Sequence, residues 1–444
     1  AEWFGVWERK AAGVPVLVHD AFTNGVVYAV LHFDMRVLPQ ELIPYAALLS
    51  EMLGSLDTDG FAFGELETEL NVHTGGFSAM TEGFLENRDD SRLLPKFTVS
   101  VKALRPKTGR MFELAEEILL RTKFDDPDRI RTVLTRHQSR LDGAAIRNGF
   151  GFAYTRAQSY IGEGGAFNEK TRGFDYYWFV SDLADSFDVK APEIAANLKR
   201  TAGLLFRSGT LTAAVTGGPE EAAAFAEAFE RFAKHLPQGR PDPRAWAFDI
   251  RKRNEGFATP SKVQYAVQGY NLKKLGHPWS GRMHVLGQVL STDWLQTRIR
   301  VIGGAYGGFA RIHPNGTMLF CSYRDPNLEQ TLDSFAATPG FLRTFEPDST
   351  AMTRYIIGTI ANLDQPRTAS EKGREAVRCR LERVTAADLQ AERDDVLATT
   401  AADIRAMAPI VSDVLGRRAF CVYGNEEKIR AAAGLFGTVL NPIR

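Results

Sequence analysis

The hydrophobic residues follow the same succession of patterns twice along the chain. Residues 26–35 and 263–272 are rich in β-branched and aromatic side chains, which predicts a strand near the start of each unit. Apolar residues at helical spacing follow in residues 42–53 and 283–299, which predicts a helix in each unit. A glycine pair comes next in both units, and then a further predicted strand, at residues 97–103 and 317–323.

The two units also continue and close alike. Further helices are predicted directly after those strands, at residues 108–122 and 327–337. Near the end of each unit a strand-like run leads into a helix, which opens at Pro219 in the first unit and at Asn425 in the second. Proline at the first helical position and acidic residues in the first turn favour a helix start. Matched elements in one order indicate an internal repeat.

The repeat predicts an α+β fold with two homologous domains, residues 1–240 and 241–444. Each domain is expected to be a mostly antiparallel sheet with helices packed on one face. The proline-, glycine- and arginine-rich residues 236–244 mark the boundary. The first unit is longer than the second, and the additional residues are expected near 140–173.

Composition narrows the class of protein. The chain has 444 residues, of which 44% are hydrophobic and 24% charged, as in soluble proteins of more than one domain. Lys+Arg and Asp+Glu both number 54, so bulk charge favours neither a nucleic-acid nor a membrane partner. No apolar run approaches the length of a membrane-spanning helix. The chain opens without methionine or a signal sequence, and we expect a fragment or processed product of a longer protein.

Three cysteines are spread far apart, without a CxxC pair, and are expected to be reduced, buried thiols: Cys321, Cys379 and Cys421. None of the eight histidines stands in HxxH, HxxEH or HxxxH spacing, which would place two imidazoles on one helical face. The chain also lacks a GxSxG nucleophile motif. The residues therefore identify neither a metal site nor a nucleophile.

The densest local signal is residues 300–309, RVIGGAYGGF. Its glycines permit positive φ or the close approach of another backbone. Arg300 and Tyr306 flank the first glycine pair, which suggests a place where an extended ligand is held by polar groups. A turn between a helix and a strand is the alternative. The phosphate-loop Lys-Ser/Thr is missing, and so is the strand–glycine–helix order of dinucleotide sites, so nucleotide binding is the weakest hypothesis.

Two α+β repeats with a helix leading into RxxGGAYGG resemble the C-terminal half of a pitrilysin/insulinase-type (inverzincin) zinc metallopeptidase, in its presequence protease subgroup. The resemblance covers essentially the whole chain and is carried by NGVVY (24–28), LPQELIPY (38–45), TGGF (74–77) and residues 300–308. It implies a clamshell of two halves, with zinc bound through HxxEH in the N-terminal half. Residues 1–240 and 241–444 would then be the third and fourth domains.

The same resemblance implies that this half is free of metal. The helix at residues 42–53 takes the place of the zinc helix, and the motif falls on Ala47-Leu48-Leu49-Ser50-Glu51, where both histidines are missing. We therefore expect no metal ligands in this chain and no activity from it alone. Zn²⁺ would be held by the N-terminal half.

By resemblance, Tyr306 is the catalytic residue and would donate its hydroxyl to the oxyanion in the active site of the N-terminal half. The implied substrate-binding residues are Arg300, Gly303, Gly304, Ala305 and Gly307. For Arg300, a cation facing the last helical carbonyls is the alternative.

The implied partners are the N-terminal half, on the same polypeptide or as a separate subunit, and unfolded peptides held by an edge strand inside a chamber. No nucleic-acid or membrane partner is expected. The alternative function is a stand-alone, noncatalytic peptide-binding or partner subunit. The expected location is the bacterial cytoplasm, or the mitochondrial or plastid matrix for a eukaryotic protein.

Overall fold

A computed structural model describes residues 5–444, so the first four residues lie outside the described part of the chain. Two six-stranded sheets form its framework. Sheet 1 contains β1 (Trp7–Ala11), β2 (Val14–Asp20), β3 (Val26–Asp34), β4 (Phe77–Leu85), β5 (Leu93–Leu104) and β6 (Leu211–Gly217). Sheet 2 contains β7 (Asn254–Thr259), β8 (Tyr265–Asn271), β9 (Gly307–Ile312), β10 (Thr317–Tyr323), β11 (Phe420–Asn425) and β12 (Thr438–Leu440).

Helices fill the intervals between the strands. The first unit carries α1 (Ile43–Met52), α2 (Phe63–His73), α3 (Thr108–Arg121), α4 (Pro127–Arg147), α5 (Gly149–Ser159), α6 (Glu163–Arg172), α7 (Phe174–Asp185), α8 (Phe187–Leu205) and α9 (Pro219–His235). The second unit carries α10 (Arg282–Val289), α11 (Glu329–Ala336), α12 (Thr338–Arg343), α13 (Ser349–Leu363), α14 (Ala369–Leu381), α15 (Ala386–Leu397), α16 (Ala401–Ala406), α17 (Ala408–Gly416) and α18 (Glu426–Ala431). Helix α10 continues through two π-helical stretches, Leu290–Trp294 and Gln296–Ile302, so that one long helix runs through residues 282–302.

The two sheets have matching strand orders, β1-β2-β6-β3-β5-β4 and β12-β7-β11-β8-β10-β9. In sheet 1 only the β2–β6 pairing is parallel. In sheet 2 the pairings of β7 with β11 and β12 are parallel and the other three are antiparallel. The predicted mostly antiparallel sheets in an α+β fold are therefore confirmed, and β3 and β5 correspond to β8 and β10.

One face of each sheet packs on helices of its own unit, as predicted. Alternate residues of β3, from Val27 to Phe33, are buried in the core of the first unit together with the phenylalanines of α9. In sheet 2, Ala266, Phe320 and Val422 are buried in the same way against the second unit's helices. The predicted alternation of apolar residues thus places one core beneath each sheet.

The opposite face of each sheet receives a helix from the other unit, which the sequence analysis did not foresee. Helix α14 packs on sheet 1, where Val377 lies with Leu17 and Ala214. Helix α5 packs on sheet 2 through Ala153 and its neighbours. Helices α5 and α6 occupy the region where additional residues were expected, so this insertion covers the second sheet.

The connection between the units crosses the predicted boundary at residue 240. Residues 236–253 contain neither a helix nor a strand. Trp246 is 8% exposed, donates from Nε1 to the carbonyl of Leu38 at 2.9 Å, and stacks on Phe167. The division at residue 240 remains a prediction, and the segment just after it packs on the first unit.

A buried ionic cluster joins the two units. Arg156 on α5 donates from Nε and Nη2 to the carboxylate of Glu255 on β7, at 2.6 and 3.0 Å. Its Nη1 donates to Glu169 and to Asp175, both at 3.0 Å. The hydroxyl of Tyr160 donates to Glu255 at 2.5 Å. Because the side chains of Arg156 and Glu255 are only 6% and 7% exposed, each charge depends on the other for compensation.

The carboxylates of this cluster differ in their protonation. Burial raises the pKa of Glu169 to about 7, although the charge of Arg156 acts in the opposite direction. The Oε2 atom of Glu169 has no hydrogen-bond partner among the described residues. Burial would also raise the pKa of Glu255, but its hydrogen bonds with Arg156 hold it below the ordinary value. Glu255 is thus the ionised partner of Arg156, and Glu169 titrates near neutrality.

The first prediction concerns Arg156. We expect Arg156→Gln to lower the free energy of unfolding by about 3–5 kcal/mol, because Glu255 would remain buried without its counter-charge. Arg131→Gln is the control, since Arg131 forms an ion pair with Asp188 in which the two side chains are 47% and 83% exposed. Its loss should change the free energy by about 1 kcal/mol or less. Urea unfolding measures both variants, and similar small effects would contradict the structural role of the cluster.

The second prediction concerns pH. The folded-state pKa of Glu169, about 7, lies above its ordinary value of 4.5, so the folded chain binds the additional proton between these values. Stability from this group is therefore present below pH 4.5 and is lost as the pH rises through 7. Glu169→Gln cannot ionise, and we expect its thermal stability relative to wild type to improve as the pH rises from about 5 to 8. A difference in melting temperature that does not change with pH would refute this titration.

Candidate functional site

The glycine loop, residues 303–308, lies at the C-terminal end of the long helix. The amide of Gly304 donates to the carbonyl of Arg300, and that of Ala305 to Ile299, both at 3.0 Å. Each bond spans one residue more than in the Schellman ending of an α-helix, because the preceding turns are π-helical. Gly304 has φ +77°, the left-handed conformation that such an ending requires.

The loop is attached to the segment that follows β10. Asn327 donates from Nδ2 to the carbonyl of Gly303 at 2.6 Å. The amide of Tyr306 donates to the carbonyls of Tyr323 and Arg324, at 3.1 and 3.3 Å. Sequence analysis missed Asn327 and Tyr323, although Asp325-Pro326-Asn327 is a recognisable turn sequence. These bonds hold both ends of the loop on the edge of sheet 2.

The glycines differ in what they permit. A Cβ on Gly303 would lie 2.6 Å from the carbonyl oxygen of Ile299, and one on Gly308 would lie 2.7 Å from the Cβ of Ile299. Both glycines therefore let the loop pack directly on the long helix. At Gly307 the nearest atom would be 3.8 Å away, which is an ordinary contact. The side chain of Ala305 is 4% exposed and belongs to the core, so only its backbone is left for a ligand.

Arg300 and Tyr306 lie side by side on the surface. The guanidinium carbon of Arg300 is 5.7 Å from the centre of the Tyr306 ring, a cation–π arrangement. The Tyr306 ring also contacts Tyr323 edge to face, at 6.0 Å, and Tyr306 is 67% exposed. Val301 and Ile302, exposed by 71% and 67%, extend this surface with apolar side chains. The structure thus brings the two predicted polar residues together.

The edge of sheet 2 beside the loop is covered by the long helix. Ser291 accepts a hydrogen bond from the amide of Ala310 on β9 at 3.0 Å and donates to its carbonyl at 3.3 Å. A peptide would have to displace Ser291 in order to pair with β9 at this residue. A ligand at Arg300 and Tyr306 is therefore reached through their side chains and the exposed loop, and not by adding a strand at Ala310.

Helix α1 contains the residues aligned with the zinc motif, and they do not fit a metal ion. Ala47 and Leu48 are buried in the core, where neither side chain offers a ligand. Glu51 forms an ion pair with Arg140 and lies 3.6 Å from Nδ1 of His137, whose Nε2 is hydrogen bonded to Tyr176. Across residues 5–444, no group of three or more His, Cys, Asp and Glu side chains is arranged to hold a metal ion.

Two expectations on composition can be compared with the structure. The three cysteines are buried and form no disulfide, as predicted. Over the same described residues, no helix is both long enough and apolar enough to cross a membrane.

Two family models match the chain in succession. One, for a segment associated with subfamily C of the M16 peptidases, matches residues 5–183, and the other, described as "PreP C-terminal domain", matches residues 254–422. Protein HypA of Clostridium perfringens is 34% identical over 98% of this chain and 45% of its own length. Presequence protease 1, chloroplastic/mitochondrial, of Arabidopsis thaliana is 28% identical over 95% of this chain and 39% of its own length. The chain thus spans less than half the length of these relatives.

Solved structures share the fold. The peptidase M16 inactive domain from Pseudomonas fluorescens superposes with a TM-score of 0.65 at 14% identity, covering 94% of this chain and 97% of its own. The periplasmic protease PqqL from Escherichia coli gives a TM-score of 0.59 at 13% identity, over 94% of this chain and 46% of its own. Together with the sequence matches, these structures confirm the resemblance: the chain belongs with the C-terminal halves of M16 peptidases, close to the presequence proteases.

Proposed function

We propose that this chain is the non-zinc-binding C-terminal half of a zinc metalloendopeptidase that degrades unfolded peptides. In this proposal it supplies substrate-binding and transition-state-stabilising groups to an active site whose zinc is held by the N-terminal half. The observation that carries the proposal is the exposed pair of Arg300 and Tyr306 on a loop that is fixed at both ends. The similarity to presequence proteases supports a peptide as the ligand.

The chemistry of the pair suits a peptide in the course of hydrolysis. The Tyr306 hydroxyl would donate a hydrogen bond to the oxyanion of the tetrahedral intermediate. The planar guanidinium of Arg300 would bind a peptide carbonyl or carboxylate. An exposed cation–π contact contributes only about 0.5–1 kcal/mol, so Arg300 can leave the Tyr306 ring when a peptide is bound.

The surroundings support a surface that is covered in the complete enzyme. Val301 and Ile302 are exposed directly beside Arg300, and such apolar groups are typical of interaction sites. We propose that the N-terminal half, on the same polypeptide or as a separate subunit, covers them together with the bound peptide. The proposed location is the bacterial cytoplasm, or an organelle matrix for a eukaryotic protein.

The third prediction tests the two side chains in enzyme reconstituted with the N-terminal half. We expect Tyr306→Phe and Arg300→Gln each to slow peptide hydrolysis about 10- to 100-fold, since each removes a hydrogen bond to a charged group. The zinc content should not change.

The control for this experiment is Arg298→Gln. Arg298 is an exposed arginine on the same helix, and it lies over Trp294 instead of Tyr306. This variant should keep the wild-type rate. Wild-type rates in both Tyr306→Phe and Arg300→Gln would refute the proposed catalytic contribution and would favour a noncatalytic peptide-binding subunit.

A further inference from the structure

The two sheets differ in how their second faces are covered. On sheet 2, α5 and its neighbours fill this face with rings, and Phe174 stacks on Phe257 and Tyr423. On sheet 1, α14 packs at one side only, where Val377 lies with Leu17 and Ala214. The part of sheet 1 formed by β3, β5 and β4 faces a cavity of about 450 Å³.

The internal repeat shows which side chains open this space. Val30 on β3 lies opposite Ser100 and Ala214, and the corresponding Val267 on β8 lies opposite Cys321 and Cys421. One pair further along, Thr98 lies opposite His32 where sheet 2 has Leu319 opposite Gly269. On the other side of Val30, Thr216 occupies the place that Tyr423 fills in sheet 2.

Small hydroxyl-bearing residues in sheet 1 therefore stand where sheet 2 has large or apolar side chains. The close seat of α14 keeps the space narrow, since a Cβ on Gly373 would overlap the hydroxyl of Thr216. The volume lies within the range of roughly 300–1,000 Å³ that ligand pockets occupy. The cavity thus has the size and the polar lining of a binding site.

The interior of the cavity is neutral and partly apolar. Val30, Phe84 and Val377 line it together with the hydroxyl groups. His32 also lines it, and its Nδ1 is hydrogen bonded to the hydroxyl of Thr98 at 3.0 Å. Burial, with smaller contributions from Lys96 and Arg374, lowers the pKa of His32 to about 3, so the imidazole is uncharged at neutral pH.

The charged groups around the mouth leave an excess of positive charge on one side. Arg378 forms ion pairs with Glu375 and Glu382. Glu371 is held in the N-terminal cap of α14 by Thr368, and Glu82 lies opposite Lys96 on β5. Arg367 and the exposed Arg374 complete the charged lining. Arg374 is near enough to affect His32, so its charge faces the cavity.

We propose that this cavity binds the C-terminal residue of a peptide, with an apolar last side chain beside Val30 and Phe84 and its carboxylate beside Arg374. The hydroxyl groups of Ser100 and Thr216 would satisfy the polar backbone of that residue. The inference rests on the proposed function of the chain in handling peptides. It adds a second point of attachment, formed by the sheet of one unit and a helix of the other.

The test measures binding by the 444-residue chain alone, using fluorescence anisotropy of a labelled pentapeptide that ends in phenylalanine. The free acid should bind at least about tenfold more tightly than the C-terminal amide, because only the acid offers a charged partner to Arg374. Arg374→Glu should abolish this preference. Equal affinities for the acid and the amide would overturn the proposal.

Two further variants make the result specific. Arg380→Glu is the matched control, since Arg380 lies on the same helix and pairs with Glu8 at 2.7 Å outside the cavity. It should retain the preference for the acid. Met80→Trp, at a position 47% exposed on the rim, should fill the space and weaken both peptides. Equal losses in Arg374→Glu and Arg380→Glu, or unchanged binding in Met80→Trp, would contradict the assignment.

A competition arm identifies the source of the carboxylate. Octanoate that displaces the peptide at similar concentration would overturn the peptide assignment in favour of a free apolar acid, and failure to displace it supports the peptide. Because no turnover is measured, a negative result leaves the proposed roles of Arg300 and Tyr306 untouched. Loss of those roles with intact cavity binding would conversely refute only the proposed function.

Discussion

The contact between Arg156 and Glu255 is the interaction on which the arrangement of the two units depends. It connects a helix inserted in the first unit to a central strand of the second sheet, in a region from which water is nearly excluded. A buried charge that loses its partner is strongly destabilising, so α5 cannot leave sheet 2 without a large change in free energy. The aromatic packing around α5 adds apolar burial to the same contact.

This constraint extends to the surface loop. With one face of sheet 2 filled by α5, the opposite face supports the helices of its own unit, among them the long helix at residues 282–302. The π-helical turns of that helix end in a glycine pair, and the loop is tied back to the segment after β10. Arg300 and Tyr306 consequently project from a fixed backbone, which limits the entropy that a ligand must remove.

Sequence patterns predicted much of this structure, and the failures have physical causes. The repeat gave the matching strands and helices because each follows from local hydrophobic periodicity. It did not give the exchange of α5 and α14, since a helix with two apolar sides does not reveal which distant sheet it covers. The π-helical turns were also missed, because the apolar spacing in residues 283–299 fits α- and π-helix nearly equally. Arg300 and Tyr306 were identified by their motif, whereas Asn327, which holds their loop, acts through one side-chain hydrogen bond that no periodicity reveals.

The central claim is that this chain contributes to peptide hydrolysis only together with a zinc-bearing half. The most direct measurement is the zinc content and peptidase activity of the chain alone, and again after adding a separately produced N-terminal half. The account predicts no stoichiometric zinc and no cleavage by the chain alone, with zinc-dependent cleavage after mixing. One zinc ion per chain, or peptide cleavage without the N-terminal half, would contradict it.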